Sequence, residues 1–293
     1  MYIHTKALMD EYESRLILFS VIEPGHTGWG QEIKRVGAIA VLQGLLQGQY
    51  DPKTCSGIIK KINDTDVELL QSEVNACESE FIYPGHLKWP KQIDQLNNPP
   101  IGLIVKGDLT TLSRKSIAIV GTREPSDYGK QSASLFATAF VKNGWQVISG
   151  GARGIDSCAH LAALRAAGKT IAVIASGVAV DYPSSNSELF KSISKHGALV
   201  SEVMPNVRAV QSRFLTRNRL IAALSCATLV IEAAYRSGSL RTARDAADLM
   251  RPVMAVPGQL NSLSSQGCHR LIAERAAEIV TSVDDAVEFV GAN

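Results

Sequence analysis

From residue 116 onward, short uninterrupted apolar runs alternate with segments in which apolar residues recur at helical spacing. The runs predict strands at 117–121, 145–150, 170–177, 198–202, 227–233 and 252–258. The helical spacing predicts helices near 128–142 and at 155–168, 187–197, 217–225 and 239–250, and the segments 267–275, 277–280 and 284–290 complete the pattern. Strands that are apolar on both faces and alternate with helices are typical of a parallel sheet covered on both sides. We therefore predict an α/β fold with an extended Rossmann-like, doubly wound, mainly parallel sheet.

Residues 1–76 show a different pattern, in which short helical runs are broken by glycines and by the turn segment EPGHTGWG. This pattern predicts a small helical domain that precedes the sheet. The turn-rich residues 77–115 form a lead-in segment, and we predict that the Rossmann-like domain spans 77–293. The apolar run IGLIVKG in the lead-in predicts an edge strand. Because residues 1–76 are locally acidic, a packing or regulatory role is favoured over a helix-hairpin-helix contact with DNA.

Composition narrows the class of protein. Of the 293 residues, 45% are hydrophobic and 20% are charged, so the chain can bury a sizeable core and bulk disorder is excluded. No run reaches about 18 consecutive apolar residues, which predicts that the protein has no membrane span. The N-terminus carries acidic residues where a signal peptide would have its apolar core. We therefore expect a cytoplasmic protein.

The cysteines and histidines do not suggest a metal site. The five cysteines are widely spaced and never form C-x-x-C, and the six histidines are scattered. This spacing argues against a disulfide framework and a structural zinc site. Cys158 and Cys226 are expected to be small core residues. We predict no metal and no cofactor.

The small net charge of +2 hides an uneven distribution. Residues 1–115 hold 12 Lys+Arg and 14 Asp+Glu, whereas residues 116–293 hold 18 Lys+Arg, 13 of them arginine, and 14 Asp+Glu. The stretch 203–231 contains no acidic residue but four arginines and Phe214. Arginines beside an aromatic ring suit a polyanion that also has flat rings, such as single-stranded nucleic acid. A solvated basic turn that caps a core helix is the plainer alternative.

Four loops that follow predicted strands hold most of the candidate chemistry. In a doubly wound sheet these loops meet at the carboxyl edge, where ligands bind. Glycines and a helix start in the segment SGGARGID would let a phosphate approach the backbone, although the segment is neither G-x-G-x-x-G nor a P-loop. Asp156 in this segment is interpreted as a helix cap in preference to a catalytic acid. The candidate binding residues in the four loops are Arg123, Gly150, Gly151, Arg153, Arg213, Phe214, Arg217, Asn218, Arg219, Ser237, Gly238 and Ser239.

Taken together, the motifs of residues from about 80 to the end resemble one family. They are IAIVGTREPSDYG, VISGGARGIDSCAHLAALRAAGKTIAVIASGVAVDYPSSN, LVSE, RFLTRNRLIAALS, LVIEAAYRSGSLRTARDAA and VMAVPG followed by GCHRLI. Their order and spacing resemble those of the bacterial DNA-processing protein A family (DprA, also called Smf). The resemblance implies an extended Rossmann domain that binds single-stranded DNA, forms a homodimer and loads the RecA recombinase, in natural transformation (competence) or related DNA processing.

The resemblance also implies roles for particular residues. The family's G-[ST]-R arginine corresponds to Arg123, and the basic residue and phenylalanine before its R-N-R motif correspond to Arg213 and Phe214. The R-N-R motif itself is 217–219, and the S-G-S loop is 237–239. Leu215 stands where the family usually has proline.

Two other functions remain open. Rossmann-like nucleoside-monophosphate phosphoribohydrolases use a P-G-G-x-G-T-x-x-E loop, and the corresponding region here, EAAYRSGSLRTA, has neither P-G-G nor a glutamate in that place. Asp156, His160, Glu202 and Glu232 could still act as acids or bases. A sensor that binds a free nucleotide through the same loops is the third function. We favour binding over catalysis and predict no catalytic residues.

Overall fold

The computed structural model describes residues 9–292, and its first elements are short helices that pack on one another. The first helix begins at a reciprocal cap: the side chain of Asp10 accepts a hydrogen bond from the backbone of Glu13, and the side chain of Glu13 accepts one from the backbone of Asp10. The helices are α1 (Glu11–Val21), α2 (Thr27–Val36), α3 (Ala38–Leu46), α4 (Pro52–Asn63) and α5 (Val67–Ala76). Their division from the rest of the chain as a separate domain stays a prediction.

A single sheet of nine strands runs through the rest of the described chain. The strands are β1 (Ser79–Ile82), β2 (Leu103–Gly107), β3 (Ser116–Val120), β4 (Gln146–Ser149), β5 (Thr170–Ile174), β6 (Ala198–Ser201), β7 (Ala227–Val230), β8 (Val253–Ala255) and β9 (Glu278–Ile279). Their order across the sheet is β1-β2-β6-β5-β4-β3-β7-β8-β9. From β6 to β9 every pairing is parallel, whereas β1 and β2 pair antiparallel. The predicted α/β fold with a mainly parallel sheet is confirmed.

The segment IGLIVKG is a strand, but it is not at the edge. It forms β2, which lies between β6 and β1, so that β1 is the edge strand. Strand β1 has no clear signal in the sequence, because it has only four residues and two of these, Ser79 and Glu80, are polar.

Helices cover both faces of the sheet. They are α6 (Asp127–Lys142), α7 (Ile155–Arg165), α8 (Ser187–His196), α9 (Gln211–Leu224), α10 (Gly238–Asp248), α11 (Gln266–Ala273) and α12 (Val283–Ala292). Helices α9, α10 and α11 pack on one face. On the other face, α6, α7 and α12 cover the β3–β7 region, while α8 and the N-terminal helices cover the region of β2, β5 and β6. The N-terminal helices therefore share an apolar cluster with the sheet.

The chain reverses direction across the sheet at β3. From β3 it proceeds through β4 and β5 to β6, and it then returns through α9 to β7, on the other side of β3. The loops that follow β3 and β7 consequently diverge, and they leave a crevice at the carboxyl ends of these strands. This reversal determines the position of the candidate site.

Within residues 9–292 no helix is both long enough and apolar enough to cross a bilayer. In the same range no three His, Cys, Asp or Glu side chains are grouped so that they could hold a metal ion.

The prediction that Cys226 is a core residue is wrong: its side chain is exposed just before β7, and Cys158 is only partly buried.

Candidate functional site

A cavity of about 700 Å³ lies at the carboxyl ends of β3 and β7. We call it the crevice. Its walls come from the loop after β3, the first half of α9 and the loop that leads into α10. The candidate binding residues that line it are Arg123, Phe214, Arg217, Asn218, Ser237, Gly238 and Ser239. Most of the candidates from three separate loops therefore meet at one site.

One wall of the crevice is a cluster of a cation and two rings. The guanidinium carbon of Arg123 lies 5.2 Å from the centroid of the Phe214 ring. The ring of Tyr182 lies 5.4 Å from that of Phe214, at an interplanar angle of 52°. Arg123 and Tyr182 are exposed and Phe214 is partly buried. This cluster offers a positive charge for a phosphate beside aromatic surface for a base.

Arg217 lies beneath the crevice and is buried. Its Nη1 donates to the carbonyl oxygens of Gly150, at 2.6 Å, and Val173. Burial lowers the pKa of Arg217 to about 10, and the nearby charge of Arg123 acts in the same direction while Asp156 opposes it. Arg217 is therefore still a cation at neutral pH, but its hydrogen bonds join α9 to the ends of β4 and β5.

The glycine loop after β4 is closed by Asp156. The buried carboxylate of Asp156 accepts hydrogen bonds from the backbone N–H groups of Gly150, at 3.1 Å, and Ala152, at 3.3 Å. Burial raises the pKa of Asp156, whereas the charge of Arg217 and these hydrogen bonds act to lower it. Asp156 does not cap α7 as expected, because the N-cap residue is Gly154. The two N–H groups are thus satisfied within the protein.

Three candidates of this loop lie outside the crevice lining. A Cβ atom on Gly150 would come within 2.6 Å of the Arg217 guanidinium, and one on Gly151 would come within 2.7 Å of the Phe190 ring. The lack of a side chain at these two positions therefore provides room for protein neighbours. Arg153 is exposed but does not line the crevice. A DNA contact by any of the three stays a prediction.

The structure also leaves Arg213 and Arg219 out of the crevice lining, because each is engaged in an ion pair. Arg213 contacts Glu23 through two hydrogen bonds of 2.6 and 2.8 Å. Arg219 contacts Glu202 through two of 2.9 and 2.7 Å, and both side chains are largely buried. Neither acidic partner lies in the acid-free stretch around the arginines, so the local sequence gave no sign of these pairs.

The two remaining loops are connected to each other by hydrogen bonds. The side-chain amide of Asn218 donates to the carbonyl of Gly238 at 3.1 Å. Ser237 caps α10 by accepting a hydrogen bond from the backbone N–H of Ser239. These bonds hold the hydroxyl-bearing start of α10 against α9, where it lines the crevice.

Sequence reasoning missed part of the lining. Tyr182, Thr122, Gln211 and Thr242 also face the crevice. Tyr182 could have been found, because it lies in a Tyr-Pro loop that follows β5 and so reaches the same edge of the sheet. Thr122 is the middle residue of the G-T-R motif and could have been found with Arg123. Gln211 and Thr242 are polar residues of α9 and α10, and nothing in their local pattern marks them.

The four candidate acids and bases do not converge. His160 is fully buried, its Nδ1 lies 2.7 Å from the hydroxyl oxygen of Thr170, and burial lowers its pKa to about 3. Glu202 is paired with Arg219, and the carboxylate of Glu232 accepts hydrogen bonds from Ser126 and Ser264. Among these four residues, Asp156 alone lines the crevice.

Comparison with known proteins identifies relatives of the chain. The sequence profile described as DNA recombination-mediator protein A matches residues 80–291. The DprA protein of Mycobacterium tuberculosis is 46% identical over 183 residues, which are 62% of this chain and 47% of that relative. The DNA processing protein DprA of Bacillus subtilis is 39% identical over 202 residues, 69% of this chain and 68% of the relative. The chain thus spans about half the length of the M. tuberculosis relative.

Solved structures agree with the sequence matches. The X-ray structure of DprA from Streptococcus pneumoniae has a TM-score of 0.78 and 30% identity, and the match covers 98% of this chain and 95% of that one. A structure that concerns single-stranded DNA binding by DprA of Helicobacter pylori has a TM-score of 0.67 and 30% identity, with 73% of this chain and 95% of that one covered. The resemblance noted in the sequence is confirmed, and the chain belongs to the DNA recombination-mediator protein A family, whose members are named DprA or Smf.

Proposed function

We propose that this protein binds single-stranded DNA in the crevice. The cluster of Arg123, Phe214 and Tyr182 is the observation that carries the proposal, because it joins an exposed cation to two rings inside a cavity of about 700 Å³. Duplex DNA keeps its bases stacked inside, whereas a single strand can present phosphates and bare bases together. The single-stranded DNA binding of the H. pylori relative supports the same ligand.

The arrangement of the groups suggests how the strand is held. Arg123 contacts a phosphate, and a base stacks beside Phe214 and Tyr182. The hydroxyl groups of Ser237 and Ser239, which also line the crevice, provide neutral contacts. Contacts of this kind read little base sequence, so the preference among sequences is slight. Affinity falls with increasing salt because bound counterions are released from the DNA.

We further propose that the bound strand is passed to the RecA recombinase, in natural transformation or related DNA processing, and that the protein acts in the cytoplasm as a homodimer. Membership of the recombination-mediator family supports these steps. The dispersed positions of His160, Glu202 and Glu232 support a binding protein over a phosphoribohydrolase, because acid–base catalysis needs such groups within reach of one substrate.

Binding of a fluorescent poly-dT oligonucleotide, compared with a matched duplex at two salt concentrations, tests the main proposal. We expect the wild type to prefer the single strand and to bind more weakly at the higher salt. Arg123→Ala is expected to weaken binding by about tenfold or more, as for the loss of a charged hydrogen bond. Arg165→Ala is the matched control, since Arg165 is the exposed last residue of α7 and lies outside the crevice lining. An equal loss in both variants, or equal binding of both DNAs, would contradict the proposal.

The same preparation separates the alternative functions. Release of free base from nucleoside monophosphates would identify an enzyme. Saturable binding of dTMP with an affinity comparable to that of the oligonucleotide would identify a sensor. We expect neither, since a mononucleotide lacks the adjacent phosphates and bases that the crevice is proposed to hold.

A further inference from the structure

A short turn of the N-terminal region rests directly on α9. The turn, residues 23–25, connects α1 to α2. Gly25 has a φ of +75°, and a Cβ atom at this position would come within 2.4 Å of the Thr216 methyl group. The backbone of the turn thus packs against α9 at the point where a side chain would not fit. This packing fixes the position of Glu23 relative to the helix.

From that position Glu23 forms an ion pair with Arg213. Both of its carboxylate oxygens accept hydrogen bonds from the guanidinium, from Nε at 2.6 Å and from Nη2 at 2.8 Å, and Nη1 of Arg213 donates to the carbonyl of Arg208 at 3.0 Å. A forked pair of this kind is also how arginine binds the two free oxygens of a phosphate group. The carboxylate therefore occupies a place in which a phosphodiester would make the same two bonds.

Arg213 lies at the border of the crevice. Its neighbours in the chain, Gln211, Phe214 and Leu215, line the cavity. The first turn of α9 contains no acidic residue, and Val210 gives the helix no side-chain cap. Glu23 is thus an acidic group from a distant part of the chain that enters a region otherwise suited to an anion.

We infer that Glu23 occupies a phosphate subsite of the crevice, and that single-stranded DNA displaces it to reach Arg213. This inference rests on the proposed function. Glu23 is the partner that can move, because its side chain is 55% exposed and sits on a turn, whereas the side chain of Arg213 is only 16% exposed and stays on α9. A strand already held at Arg123 brings its next phosphates to Arg213 at high effective concentration. The N-terminal region thereby lowers the affinity for DNA.

Four variants test the inference by fluorescence anisotropy with poly-dT. Glu23→Gln removes the competing charge, and we expect it to tighten binding roughly two- to fivefold, as for the loss of an ion pair with one partly exposed partner. In the Arg213→Gln background the same substitution should change affinity less than about twofold, because the subsite is gone. Glu124→Gln is the matched control. It removes one negative charge from the exposed residue next to Arg123 without releasing Arg213.

Hydrogen exchange gives a second readout on the same samples. On addition of poly-dT, exchange at residues 22–26 of the wild type should rise, because the displaced Glu23 side chain no longer links the turn to Arg213. In Glu23→Gln the DNA-induced rise should be smaller, since that link is already weakened.

The outcomes are distinguishable. If wild type binds no single-stranded DNA, the proposed function fails and the inference fails with it. If wild type binds but Glu23→Gln does not bind more tightly, the inference alone is wrong. An equal gain from Glu124→Gln, or a gain that persists without Arg213, would also overturn it by pointing to a general effect of charge.

Discussion

Arg213 and Arg217 lie one turn apart on α9 and differ in what surrounds their guanidinium groups. Arg217 is buried and donates to two carbonyl groups of the sheet, whereas Arg213 is paired with the half-exposed Glu23. The sequence predicts a phosphate contact for both arginines, because both lie in the same stretch without acidic residues, 203–231. Burial separates their roles: Arg217 stabilises the floor of the crevice, and Arg213 lies at its border.

Replacing each arginine by methionine tests this difference. Arg217→Met removes one hydrogen-bond donor from the carbonyls of Gly150 and Val173 and leaves Asp156 beside an uncharged neighbour. We expect a loss of about 2–4 kcal/mol in the free energy of unfolding, measured by urea denaturation. Arg213→Met, the matched control on the same helix, should lose less than about 1 kcal/mol. Equal losses in the two variants would mean that Arg217 is not part of the scaffold.

The packing of α7 against β5 places an uncharged histidine inside the protein. The hydroxyl of Thr170 donates to the carbonyl of Val147, so Nδ1 of His160 carries the proton and donates to Thr170. Nε2 is buried and has no hydrogen-bond partner among the described residues. Protonating it would place a charge in an apolar site near Arg217, which explains the pKa of about 3.

This contact makes stability depend on pH. His160 has a pKa near 6.5 in the unfolded chain and about 3 in the folded protein, so the unfolded state takes up the proton first as pH falls. Its contribution is fully present above pH 6.5 and is lost progressively toward pH 3. Between pH 7 and pH 5 we expect a loss of about 2 kcal/mol in the free energy of unfolding.

His160→Asn measures that contribution, because asparagine keeps a donor for Thr170 but does not titrate. Denaturation curves at pH 7 and pH 5 should show this pH-dependent loss in the wild type and not in the variant. His196→Asn, at the exposed end of α8, is the control and should keep the wild-type loss. If His160→Asn also keeps it, another group is responsible.

The sequence predicts the helices and strands of the sheet domain well where the spacing of apolar residues matches the residues that are buried. The apolar strands and most helices were found, but α9 begins at Gln211, six residues before the predicted start at 217. Residues 211–216 are mostly polar, and the helix starts without a side-chain cap, so neither a periodic nor a capping signal was present. The pairs Glu23–Arg213 and Glu202–Arg219 could not be predicted, since tertiary packing alone brings those acids to α9.

At the scale of the whole molecule, the reversal at β3 gathers the functional loops on one edge of the sheet. That placement was foreseeable, because the alternation of strands and helices implies a crevice at the carboxyl edge. The contact of the N-terminal region with the border of the crevice could not be predicted in this way. Their charge pattern shows that they are acidic, but only the folded chain shows that Glu23 reaches the border of the crevice.

A crevice of about 700 Å³ holds only a few nucleotides, so the proposed dimer has a measurable consequence. Sedimentation at working concentrations should give a mass near twice the 31.5 kDa of the chain. The affinity for poly-dT should rise steeply once an oligonucleotide is long enough to reach two crevices. A monomer under these conditions, with no such rise, would show that each chain acts alone.

The position of β2 in the sheet affects how the protein folds during its synthesis. Val105 of β2 pairs with Val200 of β6, and Ile117 of β3 pairs with Ala227 of β7. Strands β2 and β3 are therefore synthesised well before β6 and β7, with which they pair. The delay is on the order of ten seconds at ordinary rates of synthesis. During that interval one edge of β2 has no neighbour and is open to other chains. We expect slower reading of the messenger between these strands to lengthen that interval.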